Sequence, residues 1–256
     1  MSKFIDALSG VGQKPISPMG FRNSTTDYPD TNQLIVVSSV SDNFLYKNPS
    51  LVKKPFDALL ISIGSQKPDY VPSKSEKIIW GARSPEFTAQ KASSLAKIGC
   101  DFVVFESLQT QASLLNNDNL GIVATLRPEM SDETIRSITD LQIDAVLYHP
   151  PIIETPVTIE VASAIQRVLN LIDKPMILEI TNTVDSTEIE LIRNIGVSGI
   201  SVNINTQKRI KELSKIRDVI GKLPKPKVKQ IDRDAILPNE QSPIENNEHD
   251  IYDDDY

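Results

Sequence analysis

Cysteine occurs once in this chain, at Cys100, and histidine twice. A lone thiol excludes an internal disulfide framework, and its place at the start of an apolar run marks a buried structural thiol, not a nucleophile. Only His149 lies in the patterned part of the chain, which leaves no set of histidines for a zinc site, and no metal site is assigned. No apolar run approaches the roughly 20 residues of a bilayer span. After Lys3 there is no sustained apolar stretch of the signal-peptide kind, so a soluble, cytoplasmic protein without a membrane partner is expected. Glycine-rich phosphate loops and the dinucleotide fingerprint are both missing.

Charge is the next shortage. The net charge is -7, and from Asn239 onward Glu240, Glu245, Glu248, Asp250, Asp253, Asp254 and Asp255 account for all of it, with no Lys or Arg among them. A neutral body with an acidic end argues against a nucleic-acid partner. Just upstream, Lys222, Lys225, Lys227, Lys229 and Arg233 are interleaved with Pro224 and Pro226, an extended basic linker that cannot continue a helix. The expected organisation is one domain over residues 1–223, then a linker and a disordered acidic tail over 224–256. The tail is read as solubilising, with a tether for a basic partner or for its own linker as the sharper alternative.

What is present is a strand-then-helix unit that recurs. The segment from Ile78 aligns with that from Ile122: Arg83-Ser84-Pro85-Glu86 lies over Arg127-Pro128-Glu129, and Asp101 before one apolar run lies over Asp144 before the next. A third copy starts at Met176. Short Val/Ile-rich runs at Leu34–Val40, Ala58–Ile63, Lys77–Ala82, Phe102–Glu106, Gly121–Leu126, Ala145–Tyr148, Pro175–Ile180 and Gly199–Ile204 read as strands covered on both faces. Between them the spacing predicts helices over Pro85–Ile98, Leu108–Leu115, Asp132–Leu141, Pro156–Ile172, Ser186–Ile195 and Gln207–Leu223. Ser84, Ser131 and Thr155 are the expected helix caps, and Gly99 and Gly196 the expected helix ends. The fold class is therefore α/β, a (β/α)8 barrel of parallel strands with helical crossovers.

Helices are reduced after strands 1 and 2. The stretch between the first two strands allows at most a short helix around Ser50–Lys54, and Pro68 and Pro72 interrupt the next connection. A flank without helices leaves strand backs to be covered by loops, by the N-terminal segment, or by a homo-oligomer or protein partner. A first helix, Lys3–Leu8, is placed to plug the barrel floor.

In such a barrel the working residues stand at the C-terminal strand ends. Strand alternation aims Arg83, Glu106, Arg127, His149 and Glu179 inward, a ring of alternating charge interrupted by one imidazole. Arg83 and Arg127 flank a carboxylate and match a carboxylate or phosphate ligand, because guanidinium pairs bidentately with both. Glu106, His149 and Glu179 are the acid-base candidates, and Asn182, Asn203 and Asn205 complete the substrate-binding candidates. The plain alternative is that these charges pair with one another across the mouth. No strand ends in the lysine that a Schiff-base aldolase needs. Magnesium held by Glu106, Glu179 or Asp42 is compatible with the residues but is not demanded by their spacing.

Through this pattern, from about Leu34 to Leu223, the chain resembles the aldolase-type barrel superfamily. The opening segment Lys14-Pro15-Ile16-Ser17-Pro18-Met19-Gly20 is faintly similar to that of some flavin-binding barrels, and the cofactor is otherwise unknown. The resemblance implies a small-molecule site at the strand C-termini, often for a phosphate-bearing ligand. Two functions stand side by side: a lyase or isomerase acting on a small anionic metabolite, and a non-catalytic barrel used as a binding or assembly module through its helix-poor flank and acidic tail.

Overall fold

The structure, a computed structural model, describes residues 2–11, 34–53, 55–64, 68, 71–72, 78–151, 156–182 and 184–223. The proline-containing opening segment, the basic linker and the acidic tail lie outside the described residues. Eight strands, β1 (Ile35–Ser41), β2 (Ala58–Ser62), β3 (Ile79–Ser84), β4 (Phe102–Phe105), β5 (Gly121–Leu126), β6 (Ala145–Tyr148), β7 (Met176–Ile180) and β8 (Gly199–Asn203), close into a barrel in sequence order. Every neighbouring pair is parallel, including the β1–β8 seam. The helices are α1 (Lys3–Gly10), α2 (Asp42–Lys47), α3 (Ala89–Lys97), α4 (Asp132–Thr139), α5 (Ile159–Leu171), α6 (Ser186–Ile195) and α7 (Gln207–Lys222). The expected (β/α)8 barrel is thus the observed one.

The floor is apolar. Phe4 and Leu8 of α1 are buried among Val37, Ala58, Leu60, Phe102, Val104, Val123, Ala145, Leu147 and Ile177, the inward residues of the strands. The Phe4 ring stacks on Phe102 with centroids 3.9 Å apart. The helix is held by the repeated aspartate: Asp101 accepts from the Ser2 hydroxyl at 2.7 Å and from the Phe4 amide at 2.9 Å, an anion at the positive end of a helix. Gly81 makes room for the stack, since a Cβ there would meet the Phe102 ring at 2.5 Å. At the seam a Cβ on Gly199 would lie 3.0 Å from the Ile35 carbonyl and 3.2 Å from Leu8. The plug read from Lys3–Leu8 is therefore present.

Asp57 and Asp144 use the same position differently. Each carboxylate accepts the amide of the preceding strand's entrance, Val36 at 2.8 Å and Ile122 at 2.7 Å, while its own amide donates back to that residue's carbonyl. Of the two aspartates in the sequence repeat, Asp144 is thus a strand-entrance clip, as Asp57 is, satisfying backbone groups that the barrel edge would leave open, while Asp101 anchors α1.

Several local expectations are corrected. Helix α3 begins at Ala89 under a Thr88 cap, not at Pro85, because residues 85–87 are tied to the loop after β4: Ser107 donates to the Pro85 carbonyl and Gln111 to that of Phe87. The segment expected to be helical at Leu108–Leu115 forms a 3₁₀ turn over Ala112–Asn116. There Ser107 and Asn117 side chains accept the amides of Gln109 and Asn119, drawing the backbone into turns. Helix α5 is capped by Thr158, three residues beyond the expected Thr155. The first connection holds more helix than expected: Ser41 caps α2, and a 3₁₀ turn follows at Pro49–Lys53. Ser131 caps α4, and Gly99 and Gly196 take positive φ (96° and 115°) at helix ends, as expected.

Between β2 and β3 the described residues contain no helix. The outward faces there are nevertheless covered, with Leu59, Ile61 and Trp80 at most 2% exposed. The reason for expecting a partner on the β1–β3 flank, bare strand backs, is absent among the described residues.

Candidate active site at the barrel mouth

Register decides which side chains share a level inside the barrel. From Ser39, pairing leads across to Leu60 and Gly81. Barrels of this kind have a shear of about 8 over the circuit, so a step of two strands climbs about two residues at constant height. The level of Ser39 is therefore Arg83 on β3, then Thr125 on β5 and Glu179 on β7. Half a step below lie Leu60, Val104, Leu147 and Ser201; half a step above lie Ser62, Glu106, His149 and Asn203. The lumen thus turns from carbon to polar atoms near the strand C-termini.

Arg83 is the hub. Its Nε donates to Glu106 Oε1 at 2.5 Å, its Nη1 to the two Glu179 oxygens at 3.3 and 3.2 Å, and its Nη2 lies 2.8 Å from His149 Nε2. Glu179 comes from the strand opposite, so the guanidinium crosses the barrel axis. Because guanidinium can only donate, His149 Nε2 accepts; the ring proton is then on Nδ1, which donates to Glu179 Oε2 at 2.9 Å. Glu179 is 5% exposed in its side chain. Burial pushes its carboxyl up, but the hydrogen bond from His149 and the Arg83 charge outweigh that and hold it below its ordinary value.

Four of the sequence-derived candidates, Arg83, Glu106, His149 and Glu179, therefore meet in one network. Arg127 stands apart, its side chain 43% exposed and its Nη2 4.0 Å from Glu106 Oε2. Glu106 thus occupies the space between the two arginines, where an anionic ligand was expected. Asn182, Asn203 and Asn205 are exposed on the rim after β7 and at the end of β8. Sequence reasoning passed over Thr125 and Ser201, which point inward two residues before Arg127 and Asn203; strand parity was the signal. It also passed over Lys91, whose Nζ donates to the Gly64 carbonyl at 2.7 Å and the Ser84 hydroxyl at 2.9 Å, outside the lumen. Burial pushes the Lys91 ammonium down. Cys100 is buried, its thiol raised to about 12 chiefly by burial.

A cavity of about 540 Å³ lies at the other rim beside α1, lined by Asp6, Asp118, Asp144 and Lys174 among others. Asp144 is committed there to the Ile122 amide, and no acid-base pair comparable to His149–Glu179 forms among the described residues. At the mouth, by contrast, an imidazole and a carboxylate are hydrogen-bonded to each other, His149 Nδ1 to Glu179 Oε2. Among the described residues no group of three or more His, Cys, Asp or Glu is placed to hold a metal ion.

No family model matches the chain, and no curated protein matches it in sequence. Solved structures do match. A tryptophan synthase from M. tuberculosis superposes with a TM-score of 0.55 at 10% identity, over 74% of this chain and 92% of that one. Thiamine phosphate pyrophosphorylase from Pyrococcus furiosus gives 0.52 at 11% identity, over 73% and 96%. A mutant tryptophan synthase alpha-subunit from the same hyperthermophile gives 0.55 at 10%, over 73% and 96%. The shared fold is a closed (β/α)8 barrel. Identities this low establish the shared fold alone. Among the described residues no helix is long and apolar enough to cross a membrane.

Proposed function

We propose that the protein is an enzyme of lyase or isomerase type that acts, in the cytoplasm, on a small carboxylate- or phosphate-bearing metabolite at the barrel mouth. The observation that carries this reading is the convergence of Glu106, His149 and Glu179 on Arg83 at the C-terminal strand ends. Glu179 fixes the His149 ring and, held ionised, supports the imidazolium that forms when Nε2 takes a proton. In the ligand-free arrangement Nε2 is occupied by Arg83. An incoming anion would take the place of the Glu106 carboxylate between Arg83 and Arg127, draw the guanidinium toward the mouth and free Nε2 to act as a base. Glu106, released, is then the second acid or base. The three solved barrels compared above carry enzyme names, one of them thiamine phosphate pyrophosphorylase.

A second reading, a barrel without catalysis, is favoured by one feature: Arg83 is already satisfied by three partners, as a purely structural crossbar would be. Thermal shift of the purified protein against a panel of keto acids, hydroxy acids and phosphate monoesters separates the two. A ligand at about 100 times its dissociation constant stabilises by ~2.7 kcal/mol. The enzyme reading expects a hit that Arg127→Ala abolishes with the unliganded melting temperature unchanged. Silence across the panel sinks it in favour of the crossbar.

A further inference from the structure

Two hydroxyls inside the barrel have nothing to bond. Thr125 Oγ1 and Ser201 Oγ are buried, the residues 2% and 0% exposed, and neither has a hydrogen-bond partner among the described residues. Both face the lumen. Thr125 stands at the level of Arg83 and Glu179, and Ser201 pairs in register with Glu179, half a step beneath it. Barrel interiors of this class are filled mainly by bulky branched residues, and each buried unpaired polar group is costly. Thr125 and Ser201 differ in placing unpaired hydroxyls in the lumen at the level of the site described above and half a step beneath it.

We infer that Thr125 and Ser201 form the polar floor of the ligand site and select anions that carry a hydroxyl or carbonyl close to the charged group. This rests on the anion-binding reading of the mouth. When the anion draws Arg83 upward, the space on the axis beneath the guanidinium opens toward β5 and β8. A ligand oxygen one or two bonds from the carboxylate or phosphate then descends into it, accepting from or donating to the two hydroxyls. An anion with a plain alkyl chain would bury the same hydroxyls without pairing them, which is how a polar site rejects an apolar analogue.

The experiment compares matched probes by titration calorimetry or thermal shift: lactate against propionate, and 2-hydroxyethyl phosphate against ethyl phosphate, on the wild type and on Thr125→Val and Ser201→Ala. The expected result is that within at least one pair the hydroxylated member binds the wild type roughly tenfold more tightly, the ratio a net hydrogen bond supplies. The two variants bring the members of that pair to within about twofold of each other. Removing an unpaired hydroxyl leaves the fold intact or firmer, so the variants remain measurable. If both members of a pair bind the wild type equally, or the preference survives in both variants, the polar-floor assignment is overturned while anion binding stands. If no probe binds at all, the anion site itself fails and takes the inference with it.

Discussion

At the floor of the barrel Phe4 and Leu8 close the lumen with carbon; at the mouth Arg83 closes it with charge. Both seals cross the same axis and both bury their groups, but they differ in what can replace them. A stacked ring has no equal competitor in water, whereas a guanidinium held by carboxylates exchanges one anion for another at small net cost, because each pairing is a small difference between attraction and desolvation. The apolar end therefore serves stability, and under the proposed function the charged end is the one that admits a ligand.

The comparison can be broken by substitutions at either end. The largest effect is expected at the floor, where Phe4→Ala removes a buried ring stacked on Phe102 and should cost about 3–5 kcal/mol in chemical denaturation while leaving any anion binding unchanged. A loss of ligand affinity in that variant would mean that the two ends are coupled. Next comes Glu179→Gln at the mouth, with a cost of roughly 2–3 kcal/mol near neutral pH, less than for a fully buried pair because the mouth is partly solvated. Its pH dependence sharpens the contrast. A carboxyl held below its ordinary value of 4.5 gives stability that is present above that value and lost as pH falls through the lowered one. Denaturant midpoints of wild type and Glu179→Gln should therefore converge on acidification below about pH 4.5; a gap that persists would show that the carboxylate charge is not what stabilises the mouth. Smallest is Gly81→Ala, which sets a Cβ 2.5 Å from a Phe102 ring already pinned by Phe4 and should cost about 1–2 kcal/mol at all pH values.

The barrel was readable because continuous Val/Ile runs alternating with capped helices leave few topologies, and strand parity then aims Arg83, Glu106, His149 and Glu179 at a common axis. The aspartates at 101 and 144 were visible as a repeat, though not as clips and an anchor for α1, since that depends on which backbone amides meet them in space. The loop after β4 was misjudged because its helical spacing competed with Ser107 and Asn117 side chains that bond their own backbone. Pairing inside the mouth was beyond the sequence for a different reason. Parity says which residues face inward, but not that Arg83 is long enough to reach β7 and so leave Arg127 as the more exposed arginine.

The β1–β8 seam has a thermodynamic side. Every other strand junction joins neighbours along the chain, whereas Ile35 meets Gly199 across almost the whole barrel. Closing a loop on the order of 160 residues instead of one of roughly 20–40 costs an extra ~1–2 kcal/mol of chain entropy. Leu8 lies in contact range of Gly199 on that junction, so the short N-terminal helix that fills the floor also offsets the entropy of bringing the two ends of the sheet together.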